Sequence, residues 1–172
     1  MKQTYEIDLS TKGITELQKG LKEYDKWLKK KTNELCRRLA RLGVDRARVY
    51  FAESLYDGIN DAKVHSEKRE NGYAVVADGN TVLFIEFGAG VHYPDDHPEG
   101  AENGMIHGTF GEQGKNDYWF YTGQPGNAGG ELAYGHKNTT ITHGNPANMP
   151  MWKAMKDVGL ELEEVVREVF SK

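Results

Sequence analysis

Apolar residues at Ile14, Leu17, Leu21, Tyr24, Leu28, Leu35, Leu39 and Leu42 recur mostly at steps of three and four, which predicts a long amphipathic helix. The stretch STKG at 10–13 supplies hydroxyls and a glycine where such a helix can begin. Gly43 interrupts the stripe, and Val44, Ala47, Phe51 and Leu55 resume it. The helix is therefore expected to bend or restart near Gly43 and to stop by Asp57, at the turn signals of YDGIND. Before it, TYEID at 4–8 alternates as a short strand would.

Beyond residue 61 the period changes. AKVHSEK, GYAVVAD and TVLFIEF follow one another across short turns containing Gly and Asn, the pattern of an antiparallel meander over 62–87. TVLFIEF is apolar on both faces, so it reads as a central strand covered on both sides. Glu86 then falls near the strand's end, where a barely exposed carboxylate is the simplest expectation and a buried one would need a partner.

Residues 88–147 differ in kind, with 13 of the 20 glycines and 5 of the 6 histidines. They are expected to form long Gly-rich loops around one aromatic strand near 117–122, DYWFYTG, without a core of their own. Pro150 suits a first helical turn, and Met151, Met155, Val158, Leu162, Val165 and Val169 continue at helical spacing over 150–170. Trp152, Val166 and Phe170 widen that stripe. Gly159 inside it costs about 1 kcal/mol relative to alanine, a cost packing has to offset.

The chain has 172 residues, enough for one domain with a modest core. Its net charge of -4 conceals a gradient: residues 1–48 hold 13 Lys and Arg against 7 acids, and the rest hold 9 against 19. Such a split can present a basic surface on an acidic protein and suits head-to-tail contact between copies. No stretch resembles a signal peptide or a membrane span, so the protein reads as soluble and intracellular when made. A single cysteine, Cys36, excludes an internal disulfide.

The densest polar cluster is HYPDDHPE, where His92, Asp95, Asp96 and His97 precede Glu99. These residue types could serve a metal-dependent hydrolase together with Glu86, and His107, His136 and His143 could converge on them. The spacing lacks the scaffold of a specific metal motif, so the cluster is expected to be a solvent-exposed loop with no metal. No serine sits in a nucleophile elbow and no glycine run has the Walker spacing, so neither catalytic residues nor a cofactor are expected. The basic N-terminal helix could line a DNA path without reading sequence.

Glu86-Phe87-Gly88-Ala89-Gly90 closes the meander, and Met149-Pro150-Met151-Trp152-Lys153-Ala154-Met155 opens the last helix. In that order, after a long first helix, they resemble the tail-completion or neck proteins of long-tailed phages, the gene-product-ten-like family typified by phage HK-ninety-seven. The chain departs from the family at Ala89, where a hydroxyl residue is common, and in the long insertion between the motifs. The resemblance implies a structural role for Glu86, Phe87, Gly88, Gly90, Pro150, Met151, Trp152 and Met155. It also implies a non-enzymatic particle component that joins tail to head. Such a protein would assemble as a homo-oligomeric ring, with a hexamer as the expected form, contact head-connector and tail proteins, and lie near DNA. It would have no membrane or small-molecule partner, and would move from the host cytoplasm into the virion.

The expected fold is α+β: a small antiparallel sheet packed by a long N-terminal and a C-terminal helix. Glu86 is expected to cap a backbone amide or pair with a lysine, and the glycines to permit close approach where the strand leaves the sheet.

Overall fold

A computed structural model describes residues 10–90, 97–105 and 117–171; TYEID lies outside them. The architecture is α+β, in the order α1 (Thr11–Glu53), β1 (Lys63–Arg69), β2 (Gly72–Asp78), α2 (Val82–Phe87), β3 (Trp119–Thr122), β4 (Glu131–Leu132), β5 (Thr139–Thr142) and α3 (Pro150–Phe170).

Helix α1 starts where STKG suggests, with the Ser10 side chain accepting the Gly13 N–H at 3.2 Å. It does not restart at Gly43; one helix of 43 residues continues to Glu53. The break signal is a packing device. A Cβ on Gly43 would lie 2.9 Å from Val75 Cγ2, so the missing side chain is what lets β2 sit against the helix.

α3 runs antiparallel along α1, because partners rise in one helix as they fall in the other. Tyr50 donates to Asp157 at 2.6 Å, Arg46 to Glu161 at 2.6 Å and Arg38 to Glu168 at 3.1 Å. Lys31 donates to the Val169 carbonyl at 2.7 Å, and the Trp27 and Phe170 rings meet edge-on at 5.9 Å. Part of the charge gradient is thus neutralised inside the chain, basic α1 against acidic α3. The core lies where α1, the hairpin, α2 and α3 converge: Val44, Ala47, Phe51, Val64, Ile85 and Ala154.

The meander is only a hairpin. β1 and β2 pair from Lys63 opposite Asp78 to Arg69 opposite Gly72, and the third predicted strand, Val82–Phe87, is helix α2. Val, Phe and Ile favour strands, but both ends of this segment are held as a helix. At its start the Asp61 carboxylate accepts the Asn80 and Thr81 N–H groups at 3.0 and 3.1 Å. At its end the Ile85 and Glu86 carbonyls accept from Asn148 and Met149 at 3.0 and 3.2 Å. The two-faced apolar pattern is that of a short helix with Val82 and Ile85 toward the core and Phe84 on a second surface.

The described part of the Gly-rich region holds more regular structure than its composition implies. The aromatic strand is Trp119–Thr122 and joins a separate antiparallel sheet in the order β3-β5-β4, with Trp119 opposite Thr142 and Glu131 opposite Ile141. The fold therefore has two small sheets, of which the hairpin packs on α1. No helix is long and apolar enough to cross a membrane among the described residues.

Candidate functional site

Two junctions bring together the polar side chains that the fold buries. The first joins the two motifs singled out in the sequence. Glu86 is not at the end of an exposed strand: it sits in α2 at 6% relative exposure. Its Oε2 accepts the Met151 N–H at 2.8 Å and its Oε1 accepts the Trp152 N–H at 3.0 Å. These are first-turn amides of α3, which lack intrahelical partners, and the helix has no side-chain cap of its own. The residue ahead of it, Met149, adopts a left-handed conformation, φ 56° and ψ 41°. A carboxylate from another element replaces the missing cap and also favours the positive end of the helix. Glu86 thus caps backbone amides through part-buried rather than exposed bonds, and among the described residues no lysine pairs with it.

His97 completes this junction and corrects the exposed-loop expectation. It is buried, its Nε2 lies 3.3 Å from Glu86 Oε1, and its Nδ1 accepts the Glu99 N–H at 3.0 Å. The second contact leaves Nδ1 without a proton and assigns the ring N–H to Nε2, as donor to Glu86. Its ring packs at 4.4 Å on Phe87. Both ring nitrogens are thus hydrogen-bonded within the chain. Just beyond α2, Gly88 has φ 80° and Gly90 has φ 106°. A side chain on Gly90 would also meet the His143 carbonyl at 2.9 Å, the close approach its glycine was expected to permit. Pro150 is fully buried at the first position of α3, Met151 packs on the core, Lys156 lies over the Trp152 ring at 5.0 Å, and Met155 is 69% exposed.

The second junction was not anticipated. Where the chain leaves α1, three asparagine side chains accept its successive backbone N–H groups: Asn148 from Leu55 at 2.8 Å, Asn127 from Tyr56 at 2.7 Å and Asn145 from Asp57 at 2.6 Å. Asn148 and Asn127 also donate back, to the Leu55 and Ser54 carbonyls. The buried Asp57 carboxylate accepts the Gly130 N–H at 2.9 Å and the Thr142 hydroxyl at 2.7 Å. These contacts tie the Gly-rich region to the helices. A sequence signal existed: each asparagine stands beside glycine or proline or close to one, in PGN and GNPANMP, where amide side chains commonly bond to backbone.

Beside this junction is a pocket of ≈ 670 Å³ walled by Tyr56, Phe84, Trp119 and Tyr121, with Gln124, Asn138 and Asn145 among its polar groups. Burial pushes the Tyr56 and Tyr121 phenols above their ordinary pKa, so both remain protonated donors.

Of the metal candidates, His92, Asp95 and Asp96 lie outside the described residues, as does His107. His143 is engaged through Nδ1 with the Asp117 carbonyl at 2.9 Å, and His136 is exposed. Among the described residues no three His, Cys, Asp or Glu side chains come together as a metal site would require. Comparison of the chain with protein-family models, with curated proteins and with solved structures finds no match.

Proposed function

We propose that this chain is a non-enzymatic structural component of a phage or prophage particle that completes the tail and joins it to the head. One observation carries the reading. The two motifs behind the resemblance, 63 residues apart in sequence from Glu86 to Met149, form a single junction in space, with the Glu86 carboxylate seating the Met151 and Trp152 amides. Its buried carboxylates and imidazole are spent on backbone and on each other, a use that suits a building block. In this role the protein assembles with copies of itself as a ring and contacts head-connector and tail proteins, first in the host cytoplasm and then in the virion. On α1, Lys12, Lys19, Lys22, Lys26 and Lys29 are all exposed and fall within about a third of the helix circumference at 3.6 residues per turn. That basic side suits proximity to DNA.

The test is removal of the gene from the parent phage, followed by electron microscopy of the lysate. DNA-filled heads and separate tails are expected, with joined particles restored when the gene is supplied in trans. Normal joined, infectious particles without the gene would overturn the proposal. Stoichiometric metal in untagged protein, with a lower melting temperature after chelation, would favour a metal-dependent hydrolase instead.

A further inference from the structure

The pocket beside the second junction has the size of a ligand site, ≈ 670 Å³ against about 300–1,000 Å³ for small-molecule pockets. Its aromatic walls come from three places: the loop after α1 gives Tyr56, α2 gives Phe84, and β3 gives Trp119 and Tyr121. Trp119 and Tyr121 are alternate residues of one strand, so they stand on the same face about 7 Å apart.

Charge sets this pocket apart. Asp57, in its wall, is buried, and its carboxylate accepts only neutral donors, the Gly130 N–H and the Thr142 hydroxyl. Among the described residues no lysine, arginine or histidine pairs with Asp57 or stands in the wall, although buried charges are ordinarily paired. The field of this carboxylate reaches the rings. Burial, with the negative charges of Asp61 and Asp57 added, raises the Tyr56 phenol, and burial with Asp57 raises that of Tyr121. Elsewhere the chain covers its own rings with lysines: Lys31 lies over Trp27 at 6.0 Å, Lys153 over Tyr50 at 5.9 Å and Lys156 over Trp152 at 5.0 Å. Among the described residues no cation lies over Trp119, Tyr56 or Tyr121.

An aromatic face attracts a cation, most strongly where water is excluded. A ring-walled, negative pocket with no cation of its own therefore selects a positively charged guest. Gln124 and Asn138, exposed residues of the wall, add amide oxygens that accept hydrogen bonds. A guanidinium brings five N–H donors and a plane that stacks on aromatic rings, whereas a quaternary ammonium brings neither.

We infer that this pocket takes the guanidinium of an arginine side chain carried by a partner protein, stacked on Trp119 and Tyr121 in the field of Asp57. The inference rests on the proposed contacts with other proteins for its setting, yet it is tested without them. The probe is N-acetyl-L-arginine amide, titrated into the full chain and read from the Trp119 indole N–H resonance. A saturable shift with a dissociation constant of about 1–10 mM is expected, while the Trp27 and Trp152 indoles, already under lysines, stay in place. The citrulline analogue has the same shape without the charge and tetramethylammonium has the charge without the donors; each is expected to bind at least about fivefold more weakly. This comparison tests charge without disturbing Asp57, which also holds the sheet. Tyr121→Leu removes one ring and is expected to weaken the arginine probe about fivefold, and Tyr121→Phe, which keeps the ring, to bind like wild type. An unmoved Trp119 resonance, equal binding of either analogue, or a Tyr121→Leu variant that binds like wild type would each overturn the inference. The gene-removal phenotype would stand in any of these cases.

Discussion

Glu86 serves three donors with two oxygens, and its replacement leaves all of them short in a site that excludes most water. Glu86→Ala is expected to cost about 2–4 kcal/mol, read from the urea unfolding midpoint, because orphaned buried donors pay their full desolvation. Glu86→Gln keeps the shape but turns an NH₂ toward one of those donors, so a loss of about half that size is expected. Asp61 makes a second residue-scale case. The Thr81 hydroxyl, then the Asn80 and Thr81 backbone amides, hold its carboxyl far below the usual carboxylate range. A depressed folded pKa means that its contribution is fully present above the ordinary Asp value near 3.8 and is lost as pH falls from there toward the lower folded value. Melting temperature followed down from pH 5 should therefore drop less steeply for Asp61→Asn than for wild type, starting from a lower value at pH 7. Parallel curves for the two proteins would remove this account.

At the scale of elements, two helical glycines of equal intrinsic cost have opposite surroundings. Alanine at either gains about 1 kcal/mol of helix propensity. At Gly43 the new methyl meets Val75 at 2.9 Å, where a branched side chain on a paired strand has little room to move. Overpacking of this kind costs about 1–3 kcal/mol, so Gly43→Ala is expected to be net destabilising by about 1 kcal/mol. Gly159→Ala, in open space, is expected to raise the stability of the free chain by up to about 1 kcal/mol. Thermal unfolding of the two variants side by side checks the contrast. Helix α2 teaches the same lesson for strand propensity. Residues 82–87 are strand-like in composition, but the Asp61 carboxylate at one end and the Asn148 and Met149 amides at the other satisfy its backbone as a helix, and those partners come from distant sequence.

For the molecule as a whole, the sheet of β3, β4 and β5 packs little on the helices and is held mainly through Asp57 and the three asparagines. Its opening should therefore be a local event. Asn127→Ala is expected to speed hydrogen exchange of the β3 and β5 amides by roughly tenfold, since losing its bonds to the Tyr56 N–H and the part-buried Ser54 carbonyl lowers the opening free energy by about 1.4 kcal/mol. Exchange in α1 and α3 should stay unchanged; equal acceleration in both would mean that the sheet and helices open together.

Much of the helical frame is legible from the chain because it depends on local periodicity. The rows that start at Ile14 and Met151, the hydroxyl of Ser10 and the proline at 150 act within one or two turns of themselves. The β1 and β2 hairpin is equally local, since its register follows from a short turn. What tertiary structure decided is everything that depends on a partner far along the chain. Gly43 reads as a break until Val75 is beside it, and Val82–Phe87 reads as a strand until Asp61 and Asn148 flank it. Glu86 and His97 pass for solvent-facing residues until the start of α3 is placed against them. Local pattern reports which faces a segment can bury; the distant amides and carboxylates that satisfy its backbone determine which conformation it takes, and those are brought within reach only by the fold.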